Sequence, residues 1–209
     1  MKPMVDEPYL RLQSERTFMR VMSMNKTLED YHHQVEEQIL IQEARDDPQA
    51  FGKLYQRYIH QVVRYLYNRL GNTRDAEDVA AQTFMAAFEA FGSFKREKYF
   101  SSWLFTIARN KSVDLFRKNR PTEQLDESTI LSPLEVPEKL LERSDELNEI
   151  ARLIRKLPDE DQELMRLRFV AELSFPEMAA LLHRRTEAVK KSVYRILAKI
   201  KAKMEVGNE

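Results

Sequence analysis

Ser174 and Glu177 fix the start of a helix, and the residues after them narrow the fold further. Serine followed three residues on by glutamate is a capping box, in which each side chain satisfies a backbone N–H at the other's position. It opens the short apolar stretch Met178-Ala179-Ala180-Leu181-Leu182. His183-Arg184-Arg185 comes next, and Thr186 is a natural N-cap for a basic helical run over 186–203. Two helices joined by about three residues, the second basic, form the layout of a helix-turn-helix that lays its second helix in the DNA major groove. Such turns usually carry glycine at a left-handed position, and here His183 stands there. Histidine tolerates that region better than most residues, so the turn is strained, not excluded.

Along the second helix Val189, Val193, Ile196 and Ile200 recur at steps of 4, 3 and 4, which makes a stripe for burial. The opposite face carries Glu187, Lys191, Tyr194 and Ala198, flanked by Lys190 and Arg195. Arg184, Arg185, Thr186 and Glu187 sit at the helix N-terminus, where such helices touch base edges. Arginine pairs bidentately with guanine and glutamate accepts from cytosine N4. Lys190, Lys191 and Arg195 are better placed for phosphates. The bland alternative is a solvated basic helix that completes a bundle. The capped preceding helix and the short turn favour the DNA reading.

A formal net charge of zero looks wrong for a nucleic-acid binder until the distribution is read. Residues 181–203 hold eight Lys and Arg against Glu187 alone, and residues 95–120 hold eight against Glu97 and Asp114. Residues 121–150 reverse this, with nine carboxylates against Lys139 and Arg143. Two basic patches separated by an acidic stretch imply two DNA contacts and a linker that avoids DNA.

Only four glycines and no sustained strand alternation predict an all-α fold. The expected architecture is two small helical domains joined by a linker, with the helix-turn-helix in the second. Residues 1–34 read as an N-terminal extension open to disorder, 35–120 as the first domain, 121–137 as an acidic proline-containing linker, and 138–209 as the second domain. Within the first domain an amphipathic helix is expected over 35–45. Asp47-Pro48 caps a longer one to about Leu70, with Phe51, Leu54, Tyr58, Val62 and Leu66 on one stripe and Gly71 as its stop. Residues 73–91 follow, with Ala76, Val79, Ala80, Phe84, Ala87 and Phe91 inward. After a charged loop over 93–100, Ser101 or Ser102 is expected to cap a helix from Trp103 to about Asn119. In the second domain, 138–157 and 159–170 read as helices broken at Pro158.

That helix from Trp103 carries the second motif. Trp103, Ile107, Asn110, Asp114 and Arg117 share a face at steps of 4, 3, 4 and 3. With Lys95, Arg96 and Lys98 in the preceding loop, and Arg109, Lys111 and Lys118 nearby, the set suits single-stranded or distorted DNA. Against this, Trp103 reads more simply as a core anchor, and Asp114 with Arg117 as an exposed pair; for the loop cations and Asn110 the two readings balance. The third motif is the run from Ala76 to Phe84. On residue types alone Glu77, Asp78 and Gln82 form an ordinary solvated face.

Ala76-Glu77-Asp78-Val79 with Phe84, then Trp103-Leu104-Phe105-Thr106-Ile107-Ala108-Arg109-Asn110, then Asp114-Leu115-Phe116-Arg117-Lys118, resembles the first conserved domain of bacterial sigma factors of the extracytoplasmic-function group. Leu157-Pro158 and the helix-turn-helix resemble their second domain. The resemblance spans about 35–204. It implies a cytoplasmic subunit that binds core RNA polymerase, at the β′ clamp helices and the β flap, directs it to promoter DNA, and is itself held by an anti-sigma factor. It further implies that the helix of Glu77, Asp78 and Gln82 docks on the clamp helices. Residues 94–118 would read and open the −10 element, and the C-terminal helix would read the −35 element. Many members have Gln-Glu where this chain has Ala81-Gln82.

Other classes find little support. Cysteine is absent, which excludes disulfides and thiolate metal sites. Adjacent His32 and His33 diverge on a helix, so no metal is expected. No phosphate loop and no Ser/His/Asp set appears, so neither catalysis nor a cofactor is expected. No apolar run approaches the roughly 18 residues of a membrane span. The runner-up is a helix-turn-helix repressor or activator that is not a polymerase subunit, and a third reading is an adaptor that binds polymerase without reading DNA. A repressor needs one basic patch and usually dimerises on a palindrome.

Overall fold

The computed structural model describes residues 26–95, 99–118 and 145–206. The expectations for residues 1–25, Arg96, Lys98, the linker at 121–137 and the helical stretch before Asp145 lie outside them. Every regular element among the described residues is helical.

The first helix, α1, runs Lys26–Asp46, so it begins nine residues before the expected start at Val35. The apolar stripe starts at Val35, but no glycine or proline interrupts 26–34, and the helix extends through it. Asp47 then caps a short 3-10 turn, Pro48–Ala50, its side chain accepting from Gln49 N–H. Helix α2 follows at Phe51–Leu70 and stops at Gly71, which takes φ 78°, a conformation that costs glycine nothing. Helix α3, Thr73–Ala90, is capped by Asn72 and buries the expected set, Ala76, Val79, Ala80, Phe84 and Ala87. Helix α4 spans Phe100–Lys118. It starts before Ser101 and Ser102, which therefore do not cap it. Both hydroxyls are instead drawn to Glu177, in the other half of the molecule.

The second unit holds α5 (Asp145–Arg155), α6 (Asp159–Met165), α7 (Phe175–Leu182) and α8 (Thr186–Val206). The helix expected over 159–170 is α-helical only to Met165. Arg166–Val170 widens into a π turn, with Ala171 N–H donating to Arg166 O at 2.9 Å. The wider turn faces the adjacent Arg166 and Leu167 inward together, both fully buried. The capping box of α7 forms as expected, Ser174 N–H donating to Glu177 Oε2 at 2.6 Å and Glu177 N–H to Ser174 Oγ at 3.4 Å. His183 takes φ 52° and ψ 41°, the left-handed position anticipated for the turn. Ser174→Ala is expected to cost about 1 kcal/mol. Thermal unfolding checks this, and a change too small to measure would mean the box is redundant.

One apolar core runs through both units. In the first, Phe100 lies among Phe51, Tyr58, Phe91, Phe94 and Trp103. In the second, Val189, Val193, Ile196 and Ile200 of α8 are buried against Met178, Leu181 and Leu167. No described helix is long and apolar enough to cross a membrane.

Candidate nucleic-acid interface

The stripe that buries one face of α8 leaves the other outside. Arg184, Arg185, Glu187, Lys191, Tyr194 and Arg195 are exposed, while Thr186 and Lys190 are half-buried. Their roles differ more than sequence spacing suggests. The guanidinium of Arg184 folds back along the helix, and its Nη2 donates to Ser192 Oγ at 3.0 Å. Arg195 Nη2 reaches Asp161 Oδ1 at 3.5 Å, so this cation is partly neutralised from within. Arg185 and Glu187 stay at the exposed helix start. Tyr194 leans on Phe175, with ring centroids 5.9 Å apart, and Phe175 in turn carries the Arg168 guanidinium 4.9 Å from its ring centre. The tyrosine is thereby held upright beside Lys190 and Lys191.

On α4 the polar face is exposed at Arg109, Asn110, Asp114, Arg117 and Lys118, with Lys111 half-buried. Lys95 is exposed in the preceding loop. Trp103 is half-buried, packed 5.0 Å from the Phe94 ring and 5.6 Å from Phe100, so its first task is to pin that loop to the helix. Arg45 Nη2 donates to Phe94 O at 2.5 Å and holds the same point from α1.

On α3, Glu77, Asp78, Ala81 and Gln82 are exposed, and the face continues as Met85 and Phe88. Glu77 and Ala81 line a groove of about 650 Å³ between α2 and α3, walled by Tyr55, Ile59, Val63 and Ala80. Exposed aliphatic and aromatic surface beside two carboxylates is the profile of a protein-docking face, not a DNA one.

Sequence reasoning missed the polar cluster between the units. Glu163 of α6 accepts from Arg69 Nη1 and Arg166 Nη1, both at 2.6 Å, and from Tyr65 OH at 2.8 Å. Arg109 approaches it at 3.7 Å. Arg69 Nε also donates to Ser112 Oγ, and Arg166 Nε to Asn68 Oδ1. Burial alone would raise the Glu163 carboxyl, but Arg69 and then Arg166 outweigh it and hold it below the ordinary value. The signal that could have found the cluster was Arg69, a charge on the same α2 stripe as Tyr58, Val62 and Tyr65.

Comparison with known proteins covers both units. Residues 54–122 match the Sigma-70 region 2 family and residues 147–200 the Sigma-70, region 4 family. The ECF RNA polymerase sigma factor BldN of Streptomyces coelicolor is 35% identical over 150 residues, 70% of this chain and 57% of BldN. The chain thus spans little more than half of that relative. The ECF RNA polymerase sigma factor SigW of Bacillus subtilis is 30% identical over 165 residues, 74% of this chain and 88% of SigW. Among solved structures, CnrH in complex with the cytosolic domain of CnrY superposes with a TM-score of 0.57 at 28% identity, over 81% of this chain and 97% of CnrH. CnrH is an RNA polymerase sigma factor of Cupriavidus metallidurans.

Proposed function

The chain belongs to the extracytoplasmic-function group of RNA polymerase sigma factors, and from that premise we propose how its surfaces divide the work of promoter recognition. The protein directs core RNA polymerase to promoters. Helix α8 enters the major groove of the −35 element, with Arg185, Glu187, Arg184 and Thr186 at base edges and Lys190, Lys191, Tyr194 and Arg195 along the backbone. Lys95, Arg96, Lys98 and the polar face of α4, from Trp103 through Arg109, Asn110, Lys111, Asp114 and Arg117 to Lys118, take the −10 element and favour its opening. Opened strands expose base faces to stack and phosphates to pair, which this mixed aromatic and cationic set can meet. Glu77, Asp78 and Gln82, with the groove beside them, dock on the clamp helices of core polymerase. The chain carries no chemistry of its own and acts in the cytoplasm. An anti-sigma factor holds it in check; the similar CnrH is itself found in complex with another protein, the cytosolic domain of CnrY.

The observation that carries this reading is the exposure of two cationic surfaces on two separate helical units, with a largely apolar groove, edged by Glu77 and Arg64, on a third face. Each basic surface alone offers few phosphate contacts, and affinity scales with their number. Core polymerase would fix the spacing of the two units and make binding bivalent. The free chain is therefore expected to bind promoter duplex roughly 100-fold or more weakly than the holoenzyme does. Gel-shift titration of both at one salt concentration checks this. Equal, sequence-specific affinity of the free chain would favour the repressor instead.

Glu77 and Asp78 point to solvent, so reversing both to Lys is expected to leave folding unchanged. The double variant should compete for core polymerase at least about tenfold less well, because the partner's complementary charge then meets its own sign. Competition against labelled wild-type chain measures it. Normal competition would move the docking face elsewhere.

A further inference from the structure

Asp159, Glu160 and Asp161 all fall in the first turn of α6, but they do not face the same way. Asp159 and Glu160 are exposed, as first-turn carboxylates that answer the helix dipole commonly are. Asp161 is buried, at 7% exposure. A buried carboxylate is costly unless another group answers its charge. Among the described residues the side chain that does so is Arg195 of α8, whose Nη2 stands 3.5 Å from Asp161 Oδ1. At that length the link is an ion pair more than a hydrogen bond.

The pair is lopsided. The Arg195 side chain is 59% exposed and that of Asp161 only 10%. Arg195 lines a shallow depression on the outer face of α8, together with Glu187, Lys190, Lys191 and Tyr194. One nitrogen of its guanidinium is therefore drawn to the buried acid, and its remaining N–H donors are left for a partner outside. An unanchored arginine has a long, many-rotamer side chain and can follow any phosphate it meets. An anchored one reaches fewer places. The carboxylate also cancels part of its charge, which weakens attraction to DNA of any sequence. Phosphate contacts fix the register of a recognition helix in the groove, so restricting where one of them can form restricts how α8 can sit.

We propose that Asp161 is a positioning residue: it aims Arg195 at one phosphate beside the upstream element and so sharpens promoter selection, although it meets no DNA itself. The proposal rests on the reading of α8 as the −35 helix. It makes specificity depend on a carboxylate buried on a different helix, and it fixes a sign. Removing the Asp161 charge frees Arg195, so binding to unrelated sequence rises while the advantage of the correct element shrinks. Asp161 in a merely structural role would affect both kinds of DNA alike, and would do so whether or not Arg195 were present.

A double-mutant cycle on the holoenzyme tests it. The probes are a promoter fragment that the wild-type holoenzyme selects from genomic DNA and the same fragment with its upstream element scrambled. Asp161→Asn is expected to tighten binding to the scrambled fragment about two- to threefold and to weaken binding to the intact one by a similar factor, so that the preference falls about fivefold. Arg195→Ala should lower the preference too, and adding Asp161→Asn to it should change the preference by less than about 1.5-fold. Asp161→Leu, which fills the buried site with an apolar side chain, is expected to behave as Asp161→Asn does and decides the matter should the Asn variant fold poorly. An unchanged preference, weaker binding to both fragments by one factor, or a full Asp161→Asn effect in the Arg195→Ala background overturns the positioning role. Arg195→Ala binding both fragments as wild type does also overturns it, by taking Arg195 off the DNA while the rest of α8 still reads. A wild-type holoenzyme that binds the two fragments equally overturns the −35 reading itself, and the proposal with it.

Discussion

Replacing Phe100 by Ala is expected to destabilise the first unit by about 3–5 kcal/mol, the range for removing a large aromatic side chain from a closed core. Phe100 is fully buried, with ring centroids 5.4 Å from Tyr58, 5.6 Å from Phe94 and Trp103, and 6.2 Å from Phe91. These partners come from α2, from the turn after α3 and from the start of α4, so no single neighbour can move in to fill the space. The same ring closes the loop that carries Lys95 against the helix that carries Asn110 and Arg117. Loss of stability should therefore come with loss of −10 recognition, while the helix-turn-helix keeps its fold. Chemical denaturation measures the first effect and initiation on a promoter pre-opened at −10 measures the second. A cost below about 1.5 kcal/mol would show that this cluster repacks freely.

Substituting Arg185 or Glu187 is expected to change which base is preferred in the upstream element, by roughly 1–3 kcal/mol per lost bidentate contact. Arg184 should matter less for base choice, because its guanidinium is committed to Ser192. Lys191→Ala should instead lower activity on all promoters alike and flatten the salt dependence by about one phosphate. A promoter library randomised over the upstream element, transcribed by each variant holoenzyme, separates the two behaviours. Base preferences that never change would mean that α8 does not read sequence.

The helix-turn-helix was legible almost residue by residue, since a capping box, a left-handed turn and a 3.6-residue stripe are local devices. Ser174 with Glu177, His183, and Val189 through Ile200 all act within a few residues of one another. The aromatic core of the first unit was legible in part: Phe51, Tyr58, Phe84 and Phe91 fall on helical stripes, whereas Phe94 and Phe100, both buried, lie in the stretch read as a charged loop. Ser101 and Ser102 misled because their chemistry fits a cap equally well, and their real partner, Glu177, lies 76 and 75 residues away. The π turn at Arg166 could not be read from propensity, because the partners that meet the buried Arg166, Glu163 and Asn68, come together only in the folded protein. Nothing in the sequence sets Glu163 apart from the other carboxylates of its helix. Only the tertiary fold sets it between Arg69 and Arg166. Thus surfaces set by periodicity were visible in the chain, and the contact between the units was not.

The most direct measurement is reconstitution of transcription with core polymerase, this chain and a pool of genomic DNA fragments, with transcript starts mapped at base resolution. Defined starts should appear only when the chain is present, each preceded by shared upstream and downstream elements at a constant spacing. Starts unchanged by adding the chain, or suppressed at sites that core polymerase and another sigma factor already use, would contradict the account.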